Sequence, residues 1–261
     1  MIKAVFFDVD GTLVSFDTHR VPLSAVRAIR SMREKGIMTF ISSGRRKADI
    51  DAVALPEMDG YITLNGGICL DGQGNVIWKK TIPPADMETI VRMQDTPMRF
   101  PCVLVTDRGM HINFADAAVR EFSRIVNVPF PSGMSREEWA AEARSGVYQM
   151  VSFFPQRQER DIMKTLPGCS AFRWYPTFAD VVPKGVGKDV GMDHIMEHFG
   201  LRREETMAFG DGGNDVPMLR HAGIGVAMGN AGDEAKAAAD YVTSTVDDHG
   251  VERALAHFGL L

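Results

Sequence analysis

The sequence predicts an α/β fold in which a doubly wound parallel sheet forms the core. Two observations favour this fold. Residues 5–9 form an uninterrupted apolar and aromatic run, which is typical of a strand buried on both faces. A helical pattern at residues 23–35 and a second apolar strand at residues 37–41 follow, so the chain begins with a βαβ unit whose strands are parallel.

The βαβ rhythm stops at Pro83-Pro84 and resumes after Pro183. We therefore predict a Rossmann-like core domain formed by residues 1–82 and 183–261, and an inserted α+β domain formed by residues 83–182. In the core, the predicted strands are residues 60–64, 206–209, 224–227 and 241–242 besides the first two, with a hairpin turning at 71–75. The insertion is predicted to contain helices at 86–95, 116–126 and 156–166 and strands at 102–106, 111–114, 147–154, 171–175 and 179–182.

Composition narrows the possible partners. The chain has 261 residues, is 45% apolar and carries a net charge of −5 without a basic stripe, which argues against nucleic-acid binding. No apolar run approaches the roughly 20 residues needed to cross a bilayer, and we expect no signal peptide, because no basic flank or small-residue cleavage site precedes the first strand. Three widely spaced cysteines indicate buried thiols in a reducing compartment. We expect a cytoplasmic protein, either monomeric or a weak homo-oligomer.

Two carboxylates, Asp8 and Asp10, follow the first buried strand, and Gly11-Thr12 allows a sharp turn after them. Carboxylates at a buried strand end are costly unless they meet a cation or hydrogen-bond donors. The alternative is a simple turn capped by an Asp side chain, but such a turn needs one Asp rather than two.

The second strand ends in Ser43-Gly44-Arg45, at the edge of the sheet where Asp8 and Asp10 emerge. A hydroxyl followed by Gly at the start of a helix can offer its side chain and backbone N–H groups to a phosphate. Ser43 could equally be the N-cap of the following helix.

A second acidic cluster, Asp211 and Asp215 with Asn214, follows the strand at residues 206–209. Carboxylates from two strand ends form a set of hard oxygen ligands that suits Mg²⁺, and without a cation they would raise one another's pKa. The alternative is a glycine-rich turn with a helix cap at Asp215.

Lys188 stands at the start of a predicted helix, where the helix dipole is unfavourable for a cation. We therefore expect Lys188 to bind an anion rather than lie on the surface.

Two other motifs are set aside. His194 and His198 fit an H-x-x-E-H zinc pattern but lie off the apolar stripe of their helix. The segment around Gly187-Lys188 lacks the Ser or Thr of a Walker loop.

These motifs, in this order, resemble those of the haloacid dehalogenase superfamily, and the insertion lies where its Cof-type subfamily (subclass IIB, C2B cap) carries a cap. The family more often has Thr at the position of Ser43. The run from Arg173-Trp174-Tyr175-Pro176 to Asp180 is similar to bacterial hexose-phosphate phosphatases of this subfamily.

The resemblance implies a Mg²⁺-dependent phosphomonoesterase that forms an aspartyl-phosphate. Asp8 would be the nucleophile and Asp10 the general acid and base. The metal would be held by Asp8, the carbonyl of Asp10 and Asp211, with Asp215 orienting the metal shell. The phosphoryl group would be bound by Ser43, Gly44, Lys188 and Asn214.

Specificity for the leaving group is expected to reside in the insertion, because few core residues remain to recognise it. We expect small-molecule phosphate esters as substrates, hexose phosphates foremost, with contacts from Arg45, Arg108 and Asp180. A sugar phosphomutase that uses the same phosphoaspartate and a non-catalytic sugar-phosphate sensor remain as alternatives.

Overall fold

The computed structural model describes residues 1–125 and 130–261, without the side chain of Trp174. Two compact units are present. The first comprises Met1–Lys79 and Gly187–Leu261, and the second comprises Lys80–Val186.

The strands of the described residues, in chain order, are β1 (Ala4–Phe7), β2 (Met38–Ser42), β3 (Gly60–Thr63), β4 (Ile68–Asp71), β5 (Val76–Lys79), β6 (Cys102–Thr106), β7 (Gly109–Ile112), β8 (Ser132–Gly133), β9 (Gln149–Ser152), β10 (Cys169–Tyr175), β11 (Phe178–Pro183), β12 (Thr206–Gly210), β13 (Ile224–Ala227) and β14 (Tyr241–Val242). The α-helices are α1 (Leu23–Glu34), α2 (Lys47–Asp51), α3 (Pro84–Met93), α4 (Ala117–Ile125), α5 (Arg136–Ala143), α6 (Gln156–Lys164), α7 (Lys188–Phe199), α8 (Val216–His221), α9 (Asp233–Ala238) and α10 (Gly250–His257). Each of these helices is too short or too polar to span a lipid bilayer.

The first unit is built on an eight-stranded sheet with the order β14-β13-β12-β1-β2-β3-β4-β5. The strands from β14 to β3 pair in parallel, and the β4–β5 hairpin extends the sheet antiparallel. Phe7, at the end of β1, is in register with Phe209 of β12 and Ile41 of β2. The residues that follow these strands therefore emerge together at the carboxyl edge, where the strand order reverses and ligands bind in such sheets.

The β1 strand is buried on both faces, as its apolar sequence predicts. Val5 and Phe7 belong to one hydrophobic cluster, whereas Ala4 and Phe6 belong to the cluster that contains Met192 of α7. Phe6 stacks on Phe40, with ring centroids 4.8 Å apart. Because side chains alternate along a strand, Asp8 is expected on the face of Phe6, toward α7.

The second unit contains a six-stranded sheet with the order β10-β11-β9-β6-β7-β8, in which all pairs are antiparallel except β7–β8. Apolar residues cover both faces of this sheet. One cluster packs around Trp139 and Leu104, and the other around Phe122, Phe153 and Phe178. The unit thus has a hydrophobic core of its own on each side of the sheet.

The predicted α/β class, the parallel core sheet and the β4–β5 hairpin are confirmed. The strand predicted at residues 111–114 lies two residues earlier, as β7, because the tight turn before Gly109 brings Gly109 opposite Thr106. Helix α5 was not predicted, although its capping box between Ser135 and Glu138 is a readable start signal. Helix α4 begins at Ala117, one residue later than in the prediction of residues 116–126, and the last predicted residue, Val126, lies outside the described residues.

Candidate active site

Asp8 directly follows β1 and is buried. Its backbone N–H donates to the carbonyl of Phe209 at 3.0 Å, which extends the parallel pairing by one residue and fixes the backbone of Asp8 between its two neighbouring strands. The Asp8 carboxylate accepts a hydrogen bond from the Nζ of Lys188, with Nζ 2.6 Å from Oδ1. The side chain therefore does point to α7, as the alternation along β1 requires.

Lys188 is the first residue of α7, and its side chain is completely buried. Its ammonium group lies 2.6 Å from Asp8 Oδ1 and 2.5 Å from Asp215 Oδ1. Burial opposes the charge on Lys188, but Asp215 and Asp8 outweigh burial and raise the pKa of this lysine. A cation at this unfavourable end of the helix is thus stabilised by anions, as predicted, and these anions are the protein's own carboxylates.

The loop after β12 presents Asp211 and folds back through Asp215. Asp215 Oδ2 accepts the backbone N–H groups of Asp211 and Gly212 at 3.0 and 2.9 Å. Its other oxygen accepts the hydrogen bond from Lys188. These bonds hold the loop closed, so that Asp8, Asp211 and Asp215 each offer one oxygen within a group spanning 4.8 Å; we call these three residues the acidic triad.

The acidic triad is strongly perturbed electrostatically. Burial, together with the charge of Asp215, raises the pKa of Asp8 to about 7 even though Lys188 opposes this shift. Burial, together with the charges of Asp8 and Asp215, raises the pKa of Asp211 to about 9. With all three carboxyl groups ionised, the triad would carry more negative charge than Lys188 offsets, and hard oxygen donors this close together fit a divalent cation.

The turn after β1 requires glycine at position 11. Gly11 has a φ of +80°, and a Cβ atom there would overlap the carboxylate of Asp211. The acidic motif of β1 and the loop after β12 therefore approach each other more closely than any side chain at position 11 would permit.

Asp10 is not part of the acidic triad, because Arg45 binds its carboxylate through two hydrogen bonds. Arg45 Nε lies 2.8 Å from Asp10 Oδ2, and Nη2 lies 2.6 Å from Oδ1. This bidentate pair joins the ends of β1 and β2. Asp10 was predicted as a metal ligand through its main-chain carbonyl, and that assignment stays a prediction.

Ser43 follows β2 and is buried, and its Oγ accepts the backbone N–H of Arg45 at 3.1 Å. Gly44 lies between these two residues. This hydrogen bond is of the kind that a helix cap makes, and it uses the hydroxyl oxygen as an acceptor. The hydroxyl proton can still be donated to an anion, so the bond is compatible with both predicted roles of Ser43. Asn214, in the loop after β12, donates through Nδ2 to Asn65 Oδ1 at 3.0 Å.

Two asparagines at the site were not predicted as functional residues. Asn65 follows β3 and is fully buried beside Asn214. Asn230 follows β13 and donates to the carbonyl of Gly11 at 2.8 Å and to Asp211 Oδ2 at 3.5 Å. Asn65 stands two residues and Asn230 three residues beyond the end of a parallel strand, and that position was the signal by which both could have been found.

The two residues predicted to contact substrate from the insertion lie in the second unit. Arg108, in the β6–β7 turn, is exposed and forms an ion pair with the buried Glu142 of α5. Asp180 is buried within β11. Their roles in substrate binding stay predictions.

The two histidines of the H-x-x-E-H pattern make aromatic contacts. His194 stacks on Trp78, with centroids 4.3 Å apart, and His198 packs edge-on against Phe199. All three cysteines are free and buried, as predicted.

The metal-free protein is expected to lose stability as the pH rises from about 5 to 9. Asp8 and Asp211 have pKa values above those of an unfolded chain, near 4, so the folded state holds more protons in this window. Each excess proton lowers the free energy of unfolding by about 1.4 kcal/mol per pH unit. Thermal unfolding in chelator and in excess Mg²⁺ at about pH 5 and 8.5 tests this, with a larger metal-induced rise in Tm expected at the higher pH.

Asp211→Asn is the matched control for this pH dependence. It removes one titrating carboxylate and should flatten the pH dependence of Tm in chelator. A metal-free protein that grows more stable between pH 5 and 8.5 would contradict the electrostatic description of the triad.

An acidic triad at the carboxyl edge of a parallel sheet is the kind of site found in metal-dependent α/β enzymes, and comparison with known sequences gives the family. This chain belongs to the haloacid dehalogenase-like hydrolases, whose family model matches residues 5–255. The predicted membership of the Cof-type group is thereby confirmed, and the chain is a phosphatase of this superfamily. Phosphatases of this family generally use a divalent metal and act on small phosphate esters.

Several proteins are similar over their whole length. The solved structure of the subclass IIB sugar phosphatase BT4131 is 42% identical, covers 99% of this chain and 100% of its own, and superposes with a TM-score of 0.89. A structure from a phosphoryl-transfer superfamily that conserves a trigonal-bipyramidal intermediate is 41% identical, with both chains covered to 100% and a TM-score of 0.91. The 5-amino-6-(5-phospho-D-ribitylamino)uracil phosphatase YcsE of Bacillus subtilis is 29% identical and covers 99% of this chain and 96% of its own.

Proposed function

We propose that this phosphatase hydrolyses small sugar phosphates, hexose phosphates foremost, with Mg²⁺ and through an aspartyl-phosphate on Asp8. The observation that carries the proposal is the position of Asp8, a buried carboxylate of the acidic triad at the carboxyl end of β1 that shares the ammonium group of Lys188 with Asp215. The 42% identity to a sugar phosphatase supports this substrate class over the phosphoribitylaminouracil in the name of the 29% identical relative.

Asp8 supplies the nucleophile. Its Oδ1 is hydrogen-bonded to Lys188, so the other oxygen is available for in-line attack on phosphorus as the ester oxygen departs. Asp8, Asp211 and the carbonyl of Asp10 would hold the divalent cation, which when bound offsets negative charge on the nucleophile and the phosphoryl oxygens. Asp215 keeps Lys188 and the loop after β12 in place.

Lys188, Ser43, Gly44 and Asn214 are proposed to bind the phosphoryl oxygens. Lys188 contributes a positive charge that burial makes more effective, because water does not screen it. The hydroxyl of Ser43 and the amide of Asn214 add neutral donors from the ends of β2 and β12. Donors held at three separate strand or helix ends can surround a transferring phosphoryl group from several sides.

Asp10 is proposed to protonate the leaving oxygen and later to deprotonate the attacking water. Both of its oxygens accept hydrogen bonds from Arg45, so the carboxyl group must leave this pair before it can act on a leaving group. We propose that Asp10 releases Arg45 when substrate binds, after which Asp10 can carry a proton and Arg45 can contact the substrate.

Asp10→Asn is expected to lose about 10²–10⁴-fold in kcat on a sugar phosphate, because an amide can neither donate nor accept the transferred proton. The loss should be clearly smaller on p-nitrophenyl phosphate, whose leaving group is stable as an anion. Steady-state kinetics of one variant on both substrates give the comparison. Equal losses would remove Asp10 from the acid role.

The second unit is proposed to act as the cap that recognises the leaving group. Arg108→Ala should raise KM for a hexose phosphate several-fold and leave p-nitrophenyl phosphate hydrolysis nearly unchanged, because the small aryl ester needs no sugar contact. Asp180→Ala should show the same split. Arg160→Ala, at an exposed site on α6, is the matched control, and melting curves exclude damage from unpairing Glu142.

A panel of phosphate esters tests the function as a whole. Free phosphate released in the presence of Mg²⁺, fastest from hexose phosphates, supports the proposal. An isomerised sugar phosphate without phosphate release would make the protein a mutase, and binding without turnover would make it a sensor. A best substrate outside the sugar phosphates would overturn the proposed class and leave the phosphatase chemistry standing.

A further inference from the structure

The turn after β3 has an unusual backbone. Leu64, Asn65 and Gly66 all have positive φ, at 52°, 54° and 90°. Among the non-glycine residues that the structure describes, Leu64 and Asn65 are the one adjoining pair with this conformation. Asn tolerates this conformation, but a branched apolar side chain disfavours it, so the turn is strained at Leu64. Such strain persists where the surrounding contacts over-determine the backbone, and it concentrates at functional sites.

The contacts around this turn reach three of the segments proposed to bind phosphate. The backbone N–H of Asn65 donates to the carbonyl of Ser43 at 2.9 Å. The side-chain oxygen of Asn65 accepts from Asn214 Nδ2 at 3.0 Å. Gly66 lies so close to the carbonyl of Gly187, directly before Lys188, that a Cβ atom would overlap it.

Asn65 also determines how the Asn214 amide is oriented. A terminal amide has donors on one side and an acceptor on the other, and it can rotate by half a turn with little change in shape. The hydrogen bond to Asn65 Oδ1 takes one N–H of Asn214 and directs the amide nitrogen toward Asn65. This hydrogen bond opposes a half-turn of the Asn214 amide, which would exchange the positions of its oxygen and its nitrogen. The second N–H of the same nitrogen can then donate to an anion.

We propose that Asn65 is a positioning residue that holds the amide of Asn214 in its donating orientation toward the phosphoryl group. The inference rests on the proposed function, since it presupposes that Asn214 binds a phosphoryl oxygen. The strained turn serves this purpose because a buried acceptor must reach Asn214 while the backbone of the same residue holds the Ser43 segment. Asn combines that acceptor with tolerance of positive φ.

A double-mutant cycle between Asn65 and Asn214 tests the proposal in the full chain. Asn65→Gly removes the acceptor, and Gly readily adopts the same backbone conformation, so the fold should persist. Asn65→Gly and Asn214→Ala should each raise the inhibition constant of inorganic phosphate and KM by about 10-fold. In the double variant these two constants should be at most about twofold higher than in the weaker-binding single variant, because the two changes remove the same interaction.

Two further measurements separate positioning from general damage. The Mg²⁺ concentration for half-maximal activity should stay unchanged in Asn65→Gly, since Asn65 has no part in the acidic triad. His249→Gly, at another residue with positive φ, is the matched control and should keep wild-type kinetics.

Each outcome decides a different point. Asn214→Ala without an effect on phosphate inhibition overturns the phosphate-binding assignment and the inference with it. An effect of Asn214→Ala with none of Asn65→Gly, or losses that multiply to about 100-fold in the double variant, overturns the inference and leaves the proposed function intact.

Discussion

Asp8→Asn is expected to abolish turnover while leaving the protein folded. An amide is isosteric with the carboxylate but cannot attack phosphorus. Replacement of a nucleophile typically lowers kcat by far more than about 100-fold. The fold should persist, because Lys188 keeps its ion pair with Asp215 and one like charge leaves the acidic triad. Phosphate release from a hexose phosphate, with thermal melting of the same sample, measures both effects.

The matched control for Asp8→Asn is Asp17→Asn, which changes an exposed carboxylate of the loop after β1. It should keep wild-type activity. If Asp8→Asn retained more than about a hundredth of wild-type kcat, nucleophilic catalysis by Asp8 would be refuted. Mass spectrometry of the wild-type protein, quenched in acid during turnover, should find one added phosphoryl group that is missing from the variant.

Lys188→Met is expected to be inactive and markedly less stable in the absence of metal. Breaking a buried ion pair typically costs 3–5 kcal/mol, because the remaining charge stays buried without its partner, and here Lys188 faces two carboxylates. A divalent cation should restore much of the stability, because it offsets the same excess of negative charge. It should not restore activity, because the phosphoryl group would still lack its buried ammonium donor.

The measurements for Lys188→Met are urea unfolding in chelator and in excess Mg²⁺, each paired with a kinetic assay. Lys184→Met changes an exposed lysine four residues earlier and should match the wild type in both. A Lys188→Met protein as stable as the wild type in chelator would show that the triad does not depend on this lysine for charge compensation.

The sequence by itself determined the strands that lead into the site. Apolar runs ending in Asp8, Ser43 and Asp211 predict parallel strands, and parallel strands place their carboxyl ends at one edge whatever the details of packing. The acidic character of the site, the use of Lys188 and the family followed from those positions, because residue type and order along the chain carry that information. The capping box of α5 was equally readable and was missed.

The tertiary structure alone decided which polar groups are paired. Arg45 binds Asp10 across 35 positions of the chain, Asn214 binds Asn65 across 149, and Asn230 binds Gly11 across 219. Such pairs depend on the register of neighbouring strands and on rotamers within about an ångström, and neither periodicity nor composition encodes them. The pKa values of Asp8 and Asp211 depend on burial in the same way. The sequence therefore identifies the groups proposed to react, and the fold decides their charge state, their partners and their direction.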